Sequence, residues 1–262
     1  MESPGRIVYR VEGNGFTTRR DIVYWDERLD LLMDVYTPAD GHPSKLLPAV
    51  LFVHGGPVPT EMQPPKDWPF FQSYGELAAA SGLIGVTFNH RFHHPLQFPD
   101  SRADVHAAIE FVRAHATEFG IDAERIGLWI FSGGGPHVSW LLRDRPSYVR
   151  CLIAFYALLD LRHLAPPNVD AQTLAGINEA SAAMYVRDGA KDLPMFIARA
   201  GLDAEMVNRG IDVFVKEVLS ANAFLDLANH RNGRHGFDFL DDDDRSRSII
   251  AGALAFAKTH LA

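Results

Sequence analysis

Ser132 stands between an apolar run and three glycines, in Trp129-Ile130-Phe131-Ser132-Gly133-Gly134-Gly135. A serine hydroxyl is a poor nucleophile until the backbone presents it and a base takes its proton. Glycines just after it permit a sharp strand-to-helix turn and let a substrate come close to the backbone. A helix starting there aims free N–H groups at any negative charge that forms. Three other turns hold matching chemistry. His54-Gly55-Gly56-Pro57 follows the apolar run 49–53, Gly201-Leu202-Asp203 follows the strand-like run 195–198, and His235-Gly236-Phe237-Asp238 follows the strand-like run 224–227.

His235 is the candidate general base, because it occupies a glycine-containing loop after the last expected strand. The chain has 12 histidines, and His54, His90, His93, His94 and His230 also lie near strand ends. Loop position together with the Ser, Asp, His chain order favours His235. Asp203 is the candidate acid, placed to hold the imidazole tautomer and stabilise its charged form. The competing role for Asp203 is the N-cap of the next helix, and Asp160 and Glu205 are the substitutes. The amides of Gly133 and Gly56 are the candidate oxyanion donors, since Pro57 has no N–H to give. His54 reads as a brace for that turn.

Elements that must position these residues alternate along the chain. Runs 22–25 and 31–36 are β-rich and separated by charge, which predicts an antiparallel hairpin at a sheet edge. Strands are then expected over 49–53, 83–88, 125–131, 149–156, 195–198 and 224–227. Helices are expected over 73–81, behind a capping box at Ser101 and Asp104, over 138–142, along the stripe 211–219, and after Asp241–Asp244. The four aspartates suit the positive end of that last helix better than a metal. Alternating β and α elements imply a mostly parallel sheet with helices on both faces. Segment 160–192 is irregular and is the candidate lid within a single domain.

Length and composition agree. A chain of 262 residues with 47% hydrophobic content can bury a large core. Its net charge of −8, with no basic run, argues against a nucleic-acid partner. The single cysteine, Cys151, lies in an apolar run and reads as packing rather than a nucleophile. Met1–Arg6 lacks a secretion-signal pattern and no apolar run is long enough to span a membrane, so no membrane association and a cytoplasmic location are expected. No phosphate-binding motif accompanies Ser132. His90, His93 and His94 match no standard metal spacing. Pro and aromatic residues crowd 58–71, so Trp68, Phe70 and Phe71, together with Phe131, are candidate walls of a substrate pocket, with packing onto the core as the alternative.

Taken together, these stretches resemble the α/β-hydrolase superfamily, in particular small esterases and serine hydrolases similar to dienelactone hydrolase. Val53–Gly56, Phe88–Arg91, Phe98–Asp104, Gly120–Gly127, Ser132–Gly134, Ala200–Asp203 and His235–Phe237 carry the likeness in order, from about Asp21 onward. The resemblance implies the α/β-hydrolase fold with a small or absent cap. It implies a triad of Ser132, Asp203 and His235, with Gly56 and Gly133 at the oxyanion positions and no metal or organic cofactor. Two features depart from the family pattern. Ile130 replaces the small residue expected two before the serine, which predicts a crowded elbow. Dienelactone hydrolases themselves use cysteine where this chain has Ser132. The expected activity is hydrolysis of small-molecule carboxylic esters of small to medium acyl groups. The alternatives are a peptidase or amidase of prolyl-peptidase type, suggested by His-Gly-Gly-Pro, and an inactive binding protein with a damaged elbow.

Overall fold

The computed structural model describes residues 3–10, 15–39 and 46–262. The expected polar connection between the hairpin and the next strand falls largely on residues 40–45, outside the described residues. Eight strands form one sheet: β1 Phe16–Val23, β2 Leu32–Pro38, β3 Leu47–Val53, β4 Ile84–Phe88, β5 Ile121–Phe131, β6 Val149–Phe155, β7 Met195–Ala200 and β8 Leu225–His230. Their order is β1-β2-β4-β3-β5-β6-β7-β8. β2 is antiparallel to both β1 and β4, and every other pairing is parallel.

Side chains alternate across each strand, so the interior strands feed two cores. Val50, Phe52, Trp129, Phe131, Ile153 and Phe155 face one side. There they meet α1 (Pro69–Ala80) and α9 (Asp244–His260). Leu51, Val53, Leu128, Ile130, Leu152 and Ala154 face the other side. They are covered by α2 (Phe98–Ala114), α4 (His137–Asp144) and α7 (Glu205–Ser220). Short helices α3 (Ala116–Phe119), α5 (Ala171–Glu179), α6 (Val186–Gly189) and α8 (Phe237–Leu240) complete the connections. Among the described residues no helix is long and apolar enough to cross a membrane.

Two helix starts differ from the sequence expectation. α1 begins at Pro69 rather than Ser73, because proline suits a first turn that has no N–H to satisfy. Phe70 and Phe71 are therefore helical and face the core. α2 begins at Phe98, so Ser101 and Asp104 lie inside it and form no capping box. Their side chains have tertiary partners instead. The Ser101 hydroxyl meets His90 and His137, and Asp104 accepts from the Arg91 amide and guanidinium. At the final helix the aspartates take structural roles. Asp243 caps α9 by accepting from the Ser246 amide at 2.8 Å, and Asp241 accepts from the Arg234 amide.

Because β3, β5, β7 and β8 are parallel, their C-terminal ends share one edge. The turns after them hold His54, Ser132, Asp203 and His235, the edge where open α/β sheets bind ligands. One buried lysine ties the segment after the first of these turns to the hairpin. Lys66, 2% exposed, donates from Nζ to Asp21 and Asp67 at 2.6 Å each and lies 3.3 Å from fully buried Asp34. Its amide donates to the Asn89 side chain at 3.0 Å. Removing a buried partner leaves a charge uncompensated. Lys66→Met is expected to lower the unfolding free energy in urea by about 3 kcal/mol; a loss near the few tenths typical of surface pairs would contradict this account.

Candidate active site

The β5 strand ends in a turn that holds Ser132 at φ +51°, in the left-handed region a non-glycine residue rarely adopts. A 3₁₀ turn over Ser132–Gly134 follows, then α4. This turn and the one after β3 nearly touch. A Cβ on Gly55 would lie 2.7 Å from the Ser132 Cβ, and one on Gly133 would lie 2.1 Å from the Gly56 oxygen. Only glycine lets the two backbones approach this closely. Ile130, expected to crowd the elbow, is fully buried on the α2 and α4 side of the sheet. Its Cγ2 lies 3.2 Å from where a Gly134 Cβ would sit, so the missing side chain at 134 makes room for the branched one at 130.

The structure brings Ser132, His235 and Asp203 into one line. Ser132 Oγ–H donates to His235 Nε2 at 2.8 Å, and His235 Nδ1–H donates to Asp203 Oδ2 at 2.7 Å. Asp203 is 3% exposed and His235 41%, so the carboxylate is shielded while the imidazole meets solvent. Asp203 is not the helix cap. α7 is capped at Ala204 without a side-chain bond, although Asp203 Oδ1 also accepts from the Ala204 amide. Asp160, the first substitute, is engaged with Arg162, and Glu205 sits on the exposed start of α7. The Gly56 and Gly133 backbones lie against each other beside the serine, and among the described residues neither amide donates to a turn or loop carbonyl. This arrangement can deprotonate the hydroxyl, stabilise an imidazolium and bind an oxyanion.

Of the four expected pocket residues, three turn inward. Phe70, Phe71 and Phe131 are at most 3% exposed and pack edge-to-face on one another at 4.8–5.5 Å. They form a floor beneath the site rather than an open wall. Trp68 keeps exposed surface and donates from Nε1 to the Gln63 oxygen at 2.6 Å. Their burial follows from the early start of α1, which turns a presumed loop into a core-facing helix.

The comparisons with known proteins agree with this fold. The BD-FAE family model matches residues 33–143, which includes both glycine turns. A structure of an esterase from the planctomycete Thermogutta terrifontis, Est2, superposes with a TM-score of 0.73 at 24% identity, covering 94% of this chain and 93% of that one. The same enzyme phosphoramylated by tabun gives a TM-score of 0.72 at 23% identity, covering 96% and 95%. The chain has the α/β-hydrolase fold. Gut esterase 1 of Caenorhabditis elegans is 29% identical over 119 residues, 41% of this chain but only 21% of that protein's length.

A second cluster lies under the β3 turn, and of its members the sequence points only to His54, as a brace for that turn. His54 and His90 are stacked at 3.6 Å. The hydrogen bonds run in one direction. His137 Nε2–H donates to Ser101 Oγ at 3.0 Å, whose hydroxyl donates to His90 Nδ1 at 2.7 Å. His90 Nε2–H donates to the His54 oxygen at 3.2 Å, and the His90 amide donates to His54 Nε2 at 3.3 Å. His54 Nδ1–H then donates to the Gly55 oxygen at 2.6 Å. That last bond fixes the peptide plane whose opposite side is the Gly56 N–H.

Each of these rings is neutral in this chain of donors. Burial pushes His54 down to about 4 and His137 to about 3, and holds His90 well below the usual histidine value. The unfolded chain protonates histidine near 6.5. Stability is therefore full above about pH 6.5 and falls as the pH drops, because the unfolded state binds protons that the folded state refuses. Asp238, raised by burial to about 6, acts oppositely below that pH, since the folded chain keeps its proton longer. One carboxyl offsets one of three histidines. The unfolding free energy in urea, and with it the midpoint, is expected to fall between pH 7.5 and 5, the former by up to about 1.4 kcal/mol per pH unit for each uncompensated histidine. A flat midpoint over that range would contradict the neutral assignment.

Proposed function

We propose that this chain is a serine carboxylesterase that releases small to medium acyl groups through an acyl-enzyme. The observation that carries this reading is the unbroken donor line from Ser132 through His235 to Asp203, at a serine held in the left-handed region. Ser132 Oγ attacks the ester carbonyl while His235 Nε2 takes its proton. The amides of Gly56 and Gly133 receive the oxyanion. The imidazolium, paired with Asp203, passes its proton to the leaving alcohol. Water then enters by the same route in reverse and frees the acid. Ester hydrolysis is favoured over binding alone because Ile130 leaves the elbow intact.

Two further observations bear on substrate size. The Thermogutta esterase has been seen with butyrate and with propionate bound. In this chain the floor under the serine is filled by packed aromatic rings rather than by a deep slot. The chain leaves the sheet beside the nucleophile, where the Leu158 amide donates to the Ser132 oxygen at 2.9 Å, and returns where the Ala183 amide donates to the Leu159 oxygen at 3.2 Å. Residues 160–182 are thus a side excursion that leaves and rejoins beside the end of β6, which supports a small lid there within a single hydrolase domain, whereas the rest of segment 160–192 runs to the opposite edge, where β7 begins. The excursion's helix α5 buries no residue and is tied down by ion pairs from Glu179 to Arg102 and Arg143.

The experiment is a p-nitrophenyl ester series with a proline-terminated anilide as the peptidase control. Butyrate is expected to exceed palmitate in kcat/KM, the anilide to stay uncut, and Ser132→Ala to lose at least about 1000-fold. Faster cleavage of the anilide would replace the esterase reading with the peptidase one. No labelling of the folded wild type by a fluorophosphonate would remove the serine mechanism.

A further inference from the structure

Asp238 is fully buried three residues after His235, and among the described residues no lysine or arginine pairs with it. Its two oxygens are taken by two tyrosines. Tyr74 from α1 donates to Oδ2 at 2.5 Å, and Tyr156, just past β6, donates to Oδ1 at 2.7 Å. A buried carboxylate without a cation is expensive to keep, even when hydrogen bonds satisfy it. An apolar residue between two phenylalanines would fill the same space without that penalty.

The Tyr156 ring reaches further. Its centroid lies 4.6 Å from that of His235, tilted by 56°. Tyr156 also holds φ +39°, one of five described non-glycine residues with positive φ, with its amide donating to the Ala198 oxygen at 2.8 Å. Strain of this kind persists only where the surroundings force it. Here it aims a ring at the proposed base while its hydroxyl stays on the carboxylate. A ring beside an imidazolium stabilises it, and a hydroxyl held by an anion makes that ring more electron-rich.

We infer that Asp238 and Tyr156 form a second acid arm behind His235, positioning its ring and stabilising its protonated form during turnover. The inference rests on the esterase reading above, in which His235 becomes an imidazolium. Neither residue touches the serine, so both are positioning residues. The titratable groups facing Asp238 are Tyr74 from α1, Tyr156 from the end of β6 and His235 from its own loop. Those facing His235 are Asp203, Ser132 and Tyr156. Burial raises Asp238 to about 6, so the arm carries its charge above that pH and loses it below.

Asp238→Asn keeps the shape and removes the charge. With p-nitrophenyl butyrate, kcat is expected to fall about tenfold with KM little changed, and the acid limb of kcat/KM to move down by about half a pH unit. Tyr156→Phe keeps the ring and cuts the link, and is expected to move both in the same direction by less. The double variant is expected to match Asp238→Asn alone, because the two act as a unit. Should Asp238→Asn fail to fold, Tyr156→Phe carries the test, since it loses one hydroxyl only. A folded variant with a lowered melting temperature but wild-type kcat and acid limb would overturn the arm and leave a structural role. A Ser132→Ala variant that stayed active would instead overturn the esterase reading.

Discussion

Two turns from neighbouring strands lie closer together than any side chain would allow. Val53 of β3 is in register with Ile130 of β5, and within two residues of each the strand ends and the chain turns. The Gly55–Gly56 backbone then presses against Ser132–Gly133, at a separation a single Cβ would abolish. That contact holds the two glycine turns against the serine, where the proposed mechanism uses their amides. It also explains why the left-handed serine is tolerated. The strain of about 1–2 kcal/mol at one residue is small against the burial of the two strands that meet there.

Burial then sorts the histidines by task. His54, His90 and His137 are enclosed and neutral, and they serve as a chain of oriented donors that ends on the Gly55 carbonyl. His235 is 41% exposed and has a shielded carboxylate behind it. A ring that must gain and lose a proton needs a partner for its charge and a path for the proton. A ring that only holds a peptide plane is better kept neutral. Surroundings alone thus suit one histidine to the proton transfer proposed above and three others to a chain of fixed donors.

An aromatic floor joins these parts. Phe70, Phe71, Tyr74, Trp129 and Phe131 pack in one cluster under the serine, with the Tyr156 ring next to Phe131 and His235. Large rigid rings at van der Waals contact transmit position well, since interiors pack as densely as crystals. Placing Asp238 among them brings a charge within reach of the imidazole without opening the site to water.

Local chemistry and periodicity determined a good deal by themselves. Alternating apolar runs and amphipathic stripes predict the sheet, its parallel core and most helices, because each pattern has one way to bury its apolar side. Glycine-containing turns after strands pick out Ser132, Asp203 and His235 as candidates, because a turn at a strand end exposes a side chain that can do acid–base or nucleophilic chemistry. Only the tertiary structure decided the rest. Whether Ser101 caps a helix or bridges two histidines depends on what packs beside it, and neither neighbour is close in the chain. Phe70 and Phe71 look like pocket residues until α1 is seen to start at Pro69 and turn them inward. Asp238 and Tyr156 are 82 residues apart, and no spacing rule joins a buried carboxyl to a ring on another strand. Such pairings arise from how elements pack in three dimensions, which a pattern along one dimension does not contain.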